Sequence, residues 1–190
     1  AAAGLPRVEA VSFVRADRVP QMAGAEEVVA GIERRAGTEY SGLVLNEQGY
    51  ERFRESGLDR VNATLGATEE FNRRNGNASL DEAIARVDRI LAAAPEPVTV
   101  TLSVAFGCPF EGRVDPGRVA ELAARFEGAE VVLADTIGVA APREVRSLLE
   151  WTAAAGFHGH NTRNTGYANA LAALEGGATV LDSSVGGLGG

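Results

Sequence analysis

The chain has 190 residues, is 45% hydrophobic and carries a formal net charge of −8, a composition typical of a folded globular domain with an acidic surface. A nucleic-acid partner is excluded, since phosphate binding needs clustered positive charge and the arginines here are scattered among acidic residues. There is no apolar run of about 18 residues, no signal peptide and only one cysteine, so we expect a soluble cytoplasmic protein with no membrane span and no internal disulfide.

Short β-branched runs alternate with longer amphipathic or alanine-rich stretches along the whole chain, a pattern typical of β-α units on a parallel sheet. Seven strands are predicted, at residues 7–14, 40–45, 60–65, 98–104, 130–134, 156–160 and 179–181. Six helices are predicted between them, at residues 25–35, 47–56, 80–93, 116–126, 142–155 and 166–174. Pro116 and Pro142 fit a helical first turn, and Ser79 with Glu82 fits a capping box.

Seven β-α units without a glycine-rich nucleotide motif favour a (β/α)8 TIM barrel over a doubly wound sheet. The strand count is one short of eight, and the chain is shorter than the roughly 250 residues typical of such barrels. It opens on what resembles a helix end at residues 1–4 and stops within the glycine-rich residues 186–190. We therefore expect a single, incomplete barrel domain over residues 1–190, with the first strand and the C-terminal closing segment missing.

Active sites of these barrels lie at the carboxyl ends of the strands, so the polar residues found there are candidate functional residues. They are Glu9 and Ser12, Asn46, Cys108 and Glu111, Asp135 and Thr136, and His158 and His160.

His158 and His160 are the only histidines of the chain and form a His-X-His triplet at the end of the sixth predicted strand. Residues two apart in an extended chain point to the same face, so the two imidazoles can converge on one point. Neutral imidazole is the commonest protein ligand for divalent transition ions, and the triplet therefore predicts a metal site. The alternative is a pair of half-buried histidines that bind backbone carbonyls.

Burying an acidic residue in an apolar strand costs free energy unless its charge is paired or the residue has a functional role. Glu9 is either a functional carboxylate or part of an internal ion pair with an arginine. Asp135 is either a functional carboxylate or an Asx-turn or capping residue that leads to Pro142. Cys108 has no neighbouring base, which favours a structural thiol over a nucleophile. The glycine-rich residues 183–190 fit either a phosphate cradle or a mobile flap.

Five blocks of sequence follow one another at a distinctive spacing. They are Val11-Ser12-Phe13-Val14 with Val19-Pro20-Gln21-Met22, then Gly107-Cys108-Pro109-Phe110-Glu111-Gly112, Asp135-Thr136-Ile137-Gly138-Val139, His158-Gly159-His160, and Asp182-Ser183-Ser184-Val185-Gly186-Gly187-Leu188-Gly189-Gly190. In this order they resemble the 3-hydroxy-3-methylglutaryl-CoA lyase family, a branch of the metal-dependent barrel lyases and condensing enzymes, over nearly the whole chain.

The resemblance implies retro-Claisen cleavage of 3-hydroxy-3-methylglutaryl-CoA, an acyl-CoA substrate, into acetyl-CoA and acetoacetate, with a divalent Mg²⁺ or Mn²⁺ ion and a place in leucine degradation. It implies His158 and His160 as metal ligands, and Glu9, Asp135 and His158 as catalytic residues. Ser12 and Asn46, at strand ends, are the predicted substrate-binding residues. A homodimer of the full-length parent is compatible with the resemblance.

The chain also departs from the family pattern. The family's first strand, which carries an arginine and a metal-binding aspartate, has no counterpart here, and neither has a further asparagine ligand. The glycine-rich signature stops at Gly190, before the position of the family's catalytic cysteine. We therefore expect a fragment of a longer lyase with little or no activity of its own.

Asn161 stands where the lyases usually have aspartate and where related condensing enzymes, such as isopropylmalate and homocitrate synthases, commonly have asparagine. Two alternatives therefore stay open. One is a related acyl-CoA lyase or a synthase-like condensing enzyme of the same superfamily, and the other is a non-catalytic barrel remnant that serves as a binding protein.

Overall fold

The computed structural model describes residues 4–187. The predicted helix end at residues 1–3 and the last part of the glycine-rich segment, residues 188–190, lie outside the described residues. Within the described range the strands are β1 (Arg7–Ser12), β2 (Glu39–Val44), β3 (Arg60–Gly66), β4 (Val98–Ser103), β5 (Gly107–Cys108), β6 (Gly112–Arg113), β7 (Glu130–Asp135), β8 (Gly156–Gly159) and β9 (Val180–Leu181). The α-helices are α1 (Ala25–Gly31), α2 (Glu47–Ser56), α3 (Glu69–Gly76), α4 (Leu80–Ala93), α5 (Pro116–Arg125), α6 (Pro142–Thr152) and α7 (Gly166–Glu175).

Seven strands form one sheet in the order β1-β2-β3-β4-β7-β8-β9, so each strand lies beside the next main strand along the chain. The pairs β1–β2, β2–β3, β7–β8 and β8–β9 are parallel. A doubly wound sheet would reverse its strand order at a switch point, and this order has no reversal. The seven strands are those predicted from the sequence, whereas the short antiparallel hairpin of β5 and β6 was not predicted.

The sequence prediction missed helix α3, because Phe71 is the only large apolar residue in its eight positions and no apolar stripe is present. Other interactions hold the helix. Two ion pairs at i,i+4 spacing, one between Arg73 and Glu69 and one between Arg74 and Glu70, run along it with N–O distances of 2.6 Å. The acidic members occupy the first turn and the basic members the last, as the helix dipole favours.

Helix boundaries follow local signals. Helix α1 ends at Gly31 rather than at the predicted residue 35, because the β-branched Ile32 is extended. The capping box predicted before α4 is confirmed: Ser79 N–H donates to Glu82 Oε2 over 2.7 Å, and Glu82 N–H donates to Ser79 Oγ over 3.1 Å. No helix among the described residues is long and apolar enough to cross a membrane.

The described residues group into two compact units, whose boundaries fall within β3, α4 and β4. Within the described range, unit 1 comprises residues 4–64 and 85–99, and unit 2 comprises residues 65–84 and 100–187.

Aromatic packing forms the core of unit 1. Phe13 and Phe53 meet edge to face with centroids 6.2 Å apart, and Tyr50 stacks on Phe53 at 6.0 Å. Gly42 of β2 admits the Phe13 ring, since a Cβ there would lie 2.7 Å from a ring carbon. These rings bury large apolar surfaces, which provide much of the stability of such a unit.

The core of unit 2 lies between its strands and the helices α5, α6 and α7. Phe126, Leu133, Leu149 and Phe157 are each at most 2% exposed. Phe106 meets Phe157 edge to face, with ring centroids 5.9 Å apart. Phe157 directly precedes His158 in β8, so this packing fixes the strand from which the histidine projects.

Candidate functional site

The two histidines of the His-X-His triplet converge, as the strand geometry predicted. The Nε2 atoms of His158 and His160 lie 3.1 Å apart, and the ring centroids are 5.0 Å apart. In the β7–β8 register, His158 lies opposite Ala134 and Gly159 lies opposite Asp135. The imidazole pair is therefore held at the carboxyl ends of two adjacent parallel strands.

Asp182 also makes a polar contact with His158. Its Oδ1 lies 2.8 Å from His158 Nδ1, on the opposite side of the ring from His160. Because β8 and β9 pair with Phe157 opposite Leu181, the next residues along the two strands are His158 and Asp182. Asp182 was not predicted as a site residue, although it directly follows the last predicted strand and the position of polar residues at strand ends was a signal for it.

The surroundings favour neutral imidazole at His160. Burial and the neighbouring His158 ring lower the pKa of His160 below its ordinary value, while the carboxylates of Asp135 and Asp182 oppose this shift. A neutral imidazole retains a nitrogen lone pair, and only that form can bind a metal ion.

Asp135 ends β7 and is fully buried. Its Oδ1 accepts the N–H of Val139 over 2.9 Å, and its Oδ2 accepts the N–H of Ala140 over 3.0 Å. The carboxylate therefore organises the loop that leads to α6, as the structural alternative predicted, but it bonds to residues four and five positions on and forms neither an Asx-turn nor the cap of α6, whose N-cap is Ala141. It also provides negative charge beside His160, so the structural and the functional interpretations are compatible.

The loop after β7 packs against the loop after β8. Gly138 has a φ of +64°, and a Cβ at this position would lie 2.6 Å from Thr162 Oγ1 and 3.0 Å from the His160 carbonyl oxygen. Only glycine fits both the backbone conformation and the close approach. Asn169 of α7 reinforces the loop, since its Nδ2 donates to the Ala140 carbonyl over 3.0 Å.

The histidine pair fits two ligands of a divalent cation. Two bonds of about 2.1 Å at a right angle place the ligand atoms about 3.0 Å apart, close to the observed separation of the two Nε2 atoms. The same distance also permits a hydrogen bond between the rings. Within residues 4–187 no group of three or more His, Cys, Asp or Glu side chains could hold a metal ion, so the described residues supply two ligands.

Unit 1 contains Glu9 on β1, exposed to solvent. Asn62 of β3 donates from Nδ2 to Glu9 Oε2 over 2.7 Å. A bulge between Glu9 and Val11 shifts the β1–β2 register directly after the glutamate. Asn62 was not predicted as a site residue, although a carboxamide side chain within a predicted strand was a signal for it.

The two predicted substrate-binding residues also lie in unit 1. Ser12 is the last residue of β1 and lies opposite Leu43. Asn46 is the N-cap of α2, and its Oδ1 accepts the N–H of Gly49 over 3.0 Å. This oxygen therefore has a structural partner, while substrate binding by Asn46 and Ser12 stays a prediction.

The hairpin of β5 and β6 contains two further strand-end candidates, both in unit 2. Cys108 is buried, and its Sγ accepts the Thr68 hydroxyl over 3.2 Å, as expected of a structural thiol. Glu111 Oε1 accepts the N–H of Glu70 over 2.7 Å and thereby caps the start of α3. The guanidinium of Arg74 lies over the Phe110 ring at 4.4 Å, so the hairpin is fastened to α3 at three points.

Comparison with known proteins agrees with the resemblance seen in the sequence. The HMGL-like family model matches residues 1–190. The mitochondrial hydroxymethylglutaryl-CoA lyase of Rattus norvegicus is 40% identical over 200 residues, which cover 99% of this chain and 62% of the relative. The 3-hydroxy-3-isohexenylglutaryl-CoA/hydroxy-methylglutaryl-CoA lyase of Pseudomonas aeruginosa is 42% identical over 202 residues, which cover 100% of this chain and 67% of the relative.

Solved structures confirm the fold. An HMG-CoA lyase of Acinetobacter baumannii, solved in complex with coenzyme A and 3-methylmalate, superposes with a TM-score of 0.88 at 33% identity, over 97% of this chain and 64% of that one. The prediction of an incomplete (β/α)8 barrel is therefore confirmed. The chain spans about two thirds of the length of the relatives it matches.

Proposed function

The chain belongs to the HMGL-like family, and we propose that it provides the histidine part of the active site of a carbon–carbon lyase. The proposed reaction is the cleavage of 3-hydroxy-3-methylglutaryl-CoA into acetyl-CoA and acetoacetate. The observation that carries this proposal is the approach of the His158 and His160 Nε2 atoms to 3.1 Å, with Asp182 on one side of the pair and the buried Asp135 nearby.

His158 and His160 would hold a divalent ion, with Mg²⁺ and Mn²⁺ as the proposed cofactors. Bound there, the ion would supply Lewis acidity to the oxygen atoms of the substrate. The chain contributes two nitrogen ligands. Burial lowers the pKa of His160 and so favours its neutral form, and Asp182 orients the His158 ring.

The two carboxylates differ in what they can do. Both oxygens of Asp135 already accept backbone N–H groups, so this residue fixes its loop, and it opposes the lowering of the His160 pKa. Glu9 of unit 1 is exposed to solvent and accepts the Asn62 amide, and an exposed carboxylate of this kind is our candidate for moving a proton. The base takes the proton of the tertiary hydroxyl of the substrate, and the bond between C2 and C3 breaks as the hydroxyl oxygen becomes the ketone oxygen of acetoacetate. The electron pair of the broken bond remains on the acetyl-CoA enolate, which then takes up a proton to give acetyl-CoA.

An acyl-CoA is the proposed class of substrate, because a related lyase was solved with coenzyme A. The name of the Pseudomonas relative includes a longer isohexenyl substituent, so the proposal of an acyl-CoA substrate does not by itself fix the size of the acyl group. Asn161 does not favour a synthase, since its Oδ1 accepts the N–H of Gly166 over 2.9 Å, and an aspartate oxygen could accept it equally. A cytoplasmic location, a homodimer and a place in leucine degradation belong to the same proposal.

Two experiments test the proposed function, one by metal binding and the other by catalytic activity. In the first, Mn²⁺ is titrated calorimetrically into the purified chain and into the His158→Ala/His160→Ala variant. We expect saturable binding that the variant loses. Glu127→Ala is the matched control, because Glu127 is exposed and follows α5 at the amino end of β7.

In the second experiment, the chain replaces the matching segment of the Pseudomonas lyase, so that the relative supplies the remaining third. We expect this chimera to release acetyl-CoA from 3-hydroxy-3-methylglutaryl-CoA and to lose the activity on His160→Ala. A folded chimera that binds Mn²⁺ but cleaves only a different acyl-CoA would reject the proposed substrate, and one that cleaves none would reject the lyase function.

A further inference from the structure

The contact between Asp182 and His158 determines which nitrogen of the ring can bind a ligand. Asp182 Oδ1 lies 2.8 Å from His158 Nδ1, a distance typical of a charge-assisted hydrogen bond. An ionised carboxylate has no proton to donate, so Nδ1 must carry the proton of the bond. In the neutral ring the lone pair then lies on Nε2, the atom 3.1 Å from His160 Nε2.

This arrangement reverses the ordinary preference of histidine. In a free neutral imidazole side chain the proton resides mainly on Nε2, which would leave the lone pair on the side away from His160. A ring without Asp182 would therefore spend most of its time with its Nε2 blocked by a proton. A carboxylate at the second nitrogen of a ligating histidine is a common device for fixing both the tautomer and the ring plane.

The strand register makes the contact a feature of the fold. Asp182 follows β9 and His158 lies within β8, and the two strands pair with Gly156 opposite Val180 and Phe157 opposite Leu181. His158 and Asp182 are the residues that directly follow the last pair of this parallel register. The backbone thus places the carboxylate beside the ring, even though the Asp182 side chain is 56% exposed.

We propose that Asp182 is a positioning residue, which fixes the Nδ1–H tautomer and the orientation of His158 so that Nε2 is available as a metal ligand. The metal-binding part rests on the proposed function, but the tautomer does not. Asp182 acts through His158 and is not assigned any contact with the substrate.

The test is nitrogen NMR of the 15N-labelled, metal-free chain at a pH at which both rings are neutral. The chain has only two histidines, so His160→Ala assigns the ring signals without ambiguity. We expect a protonated Nδ1 and an unprotonated Nε2 for His158 in the wild type, and a shift toward protonated Nε2 in Asp182→Ala. Ser183→Ala, at the neighbouring exposed position, should leave the His158 signals unchanged.

The same variants are then titrated with Mn²⁺. Loss of a partner of this kind typically costs roughly 10–100-fold in metal affinity, and we expect Asp182→Ala, but not Ser183→Ala, to show such a loss. The proposal is overturned if the wild type already carries the proton on His158 Nε2, or if Asp182→Ala leaves the tautomer unchanged. A wild type with the expected tautomer that binds no Mn²⁺ would instead reject the proposed metal site and leave the tautomer assignment in place.

Discussion

Thr136→Val tests a buried hydrogen bond that fixes the chain directly after β4. Val104 is fully buried and has a φ of +54°, a left-handed conformation that is unfavourable for a β-branched residue. Its N–H donates to Thr136 Oγ1 over 2.7 Å. Valine has nearly the shape of threonine but no acceptor, so the substitution removes this hydrogen bond with little change in packing.

The expected cost follows from the group left unpaired. A buried N–H without an acceptor costs about 1–3 kcal/mol, and Val104 has no exposure through which water could replace the hydroxyl. We expect Thr136→Val to lower the free energy of unfolding by that amount. Thr136→Ser keeps the oxygen and loses one methyl group, which is worth about 0.8 kcal/mol when fully buried and less at this half-buried position.

Urea unfolding followed by tryptophan fluorescence measures both variants. Trp151 is the only tryptophan and lies in α6 of unit 2, the unit that also contains Thr136 and Val104. The signal therefore reports on the affected unit. The reasoning is refuted if Thr136→Val is no less stable than Thr136→Ser, since the hydroxyl would then contribute nothing as an acceptor.

Three further substitutions test polar contacts of unit 2. Asn72→Asp should lower the free energy of unfolding, measured in urea, by roughly 2–4 kcal/mol. The Nδ2 group of Asn72 donates to two backbone carbonyls at 2.8 Å, and a carboxylate can donate to neither. An unchanged urea midpoint would contradict this expectation. The Glu69 carboxylate accepts the Leu80 N–H, and this bond lowers the pKa of Glu69. The ionised carboxylate therefore stabilises the fold fully above the ordinary glutamate pKa of about 4.3, and this stabilisation is lost as the pH falls through the lowered pKa of Glu69. We expect Glu69→Gln to be less stable than wild type at pH 7 and equal to it in acid. Asn161→Asp should keep the cap on Gly166 and gain about 0.3–1 kcal/mol from the helix dipole in thermal unfolding, whereas a loss would show that the amide group itself is needed.

The sequence predicted the strands of the sheet more reliably than the helices. Strands of a β/α barrel are short, β-branched and separated by regular intervals, and their predicted bounds lie within two residues of the observed ones. Helix α3 has no apolar periodicity in its sequence. It is held in place instead by Asn72, whose side chain forms hydrogen bonds to the backbone of Gly66 and Thr68. Such contacts depend on tertiary structure, and periodicity does not report them.

The site was predictable where chemistry and strand geometry coincide. The spacing of His158 and His160 required only that the segment be a strand, and their convergence followed. The contacts of Glu9 with Asn62 and of His158 with Asp182 join residues far apart in the sequence. They depend on which strands are neighbours and in which register, and composition and spacing do not specify either.

Asn161 shows why one residue type is a weak marker of reaction type in this family. Its Oδ1 lies 2.9 Å from the Gly166 N–H at the start of α7, and a Cβ on Gly166 would also lie 2.9 Å from that oxygen. The position therefore requires a short side chain with an acceptor oxygen, and both asparagine and aspartate meet that requirement. A residue that caps a helix next to the histidine triplet can vary between these two types and keep the same local structure.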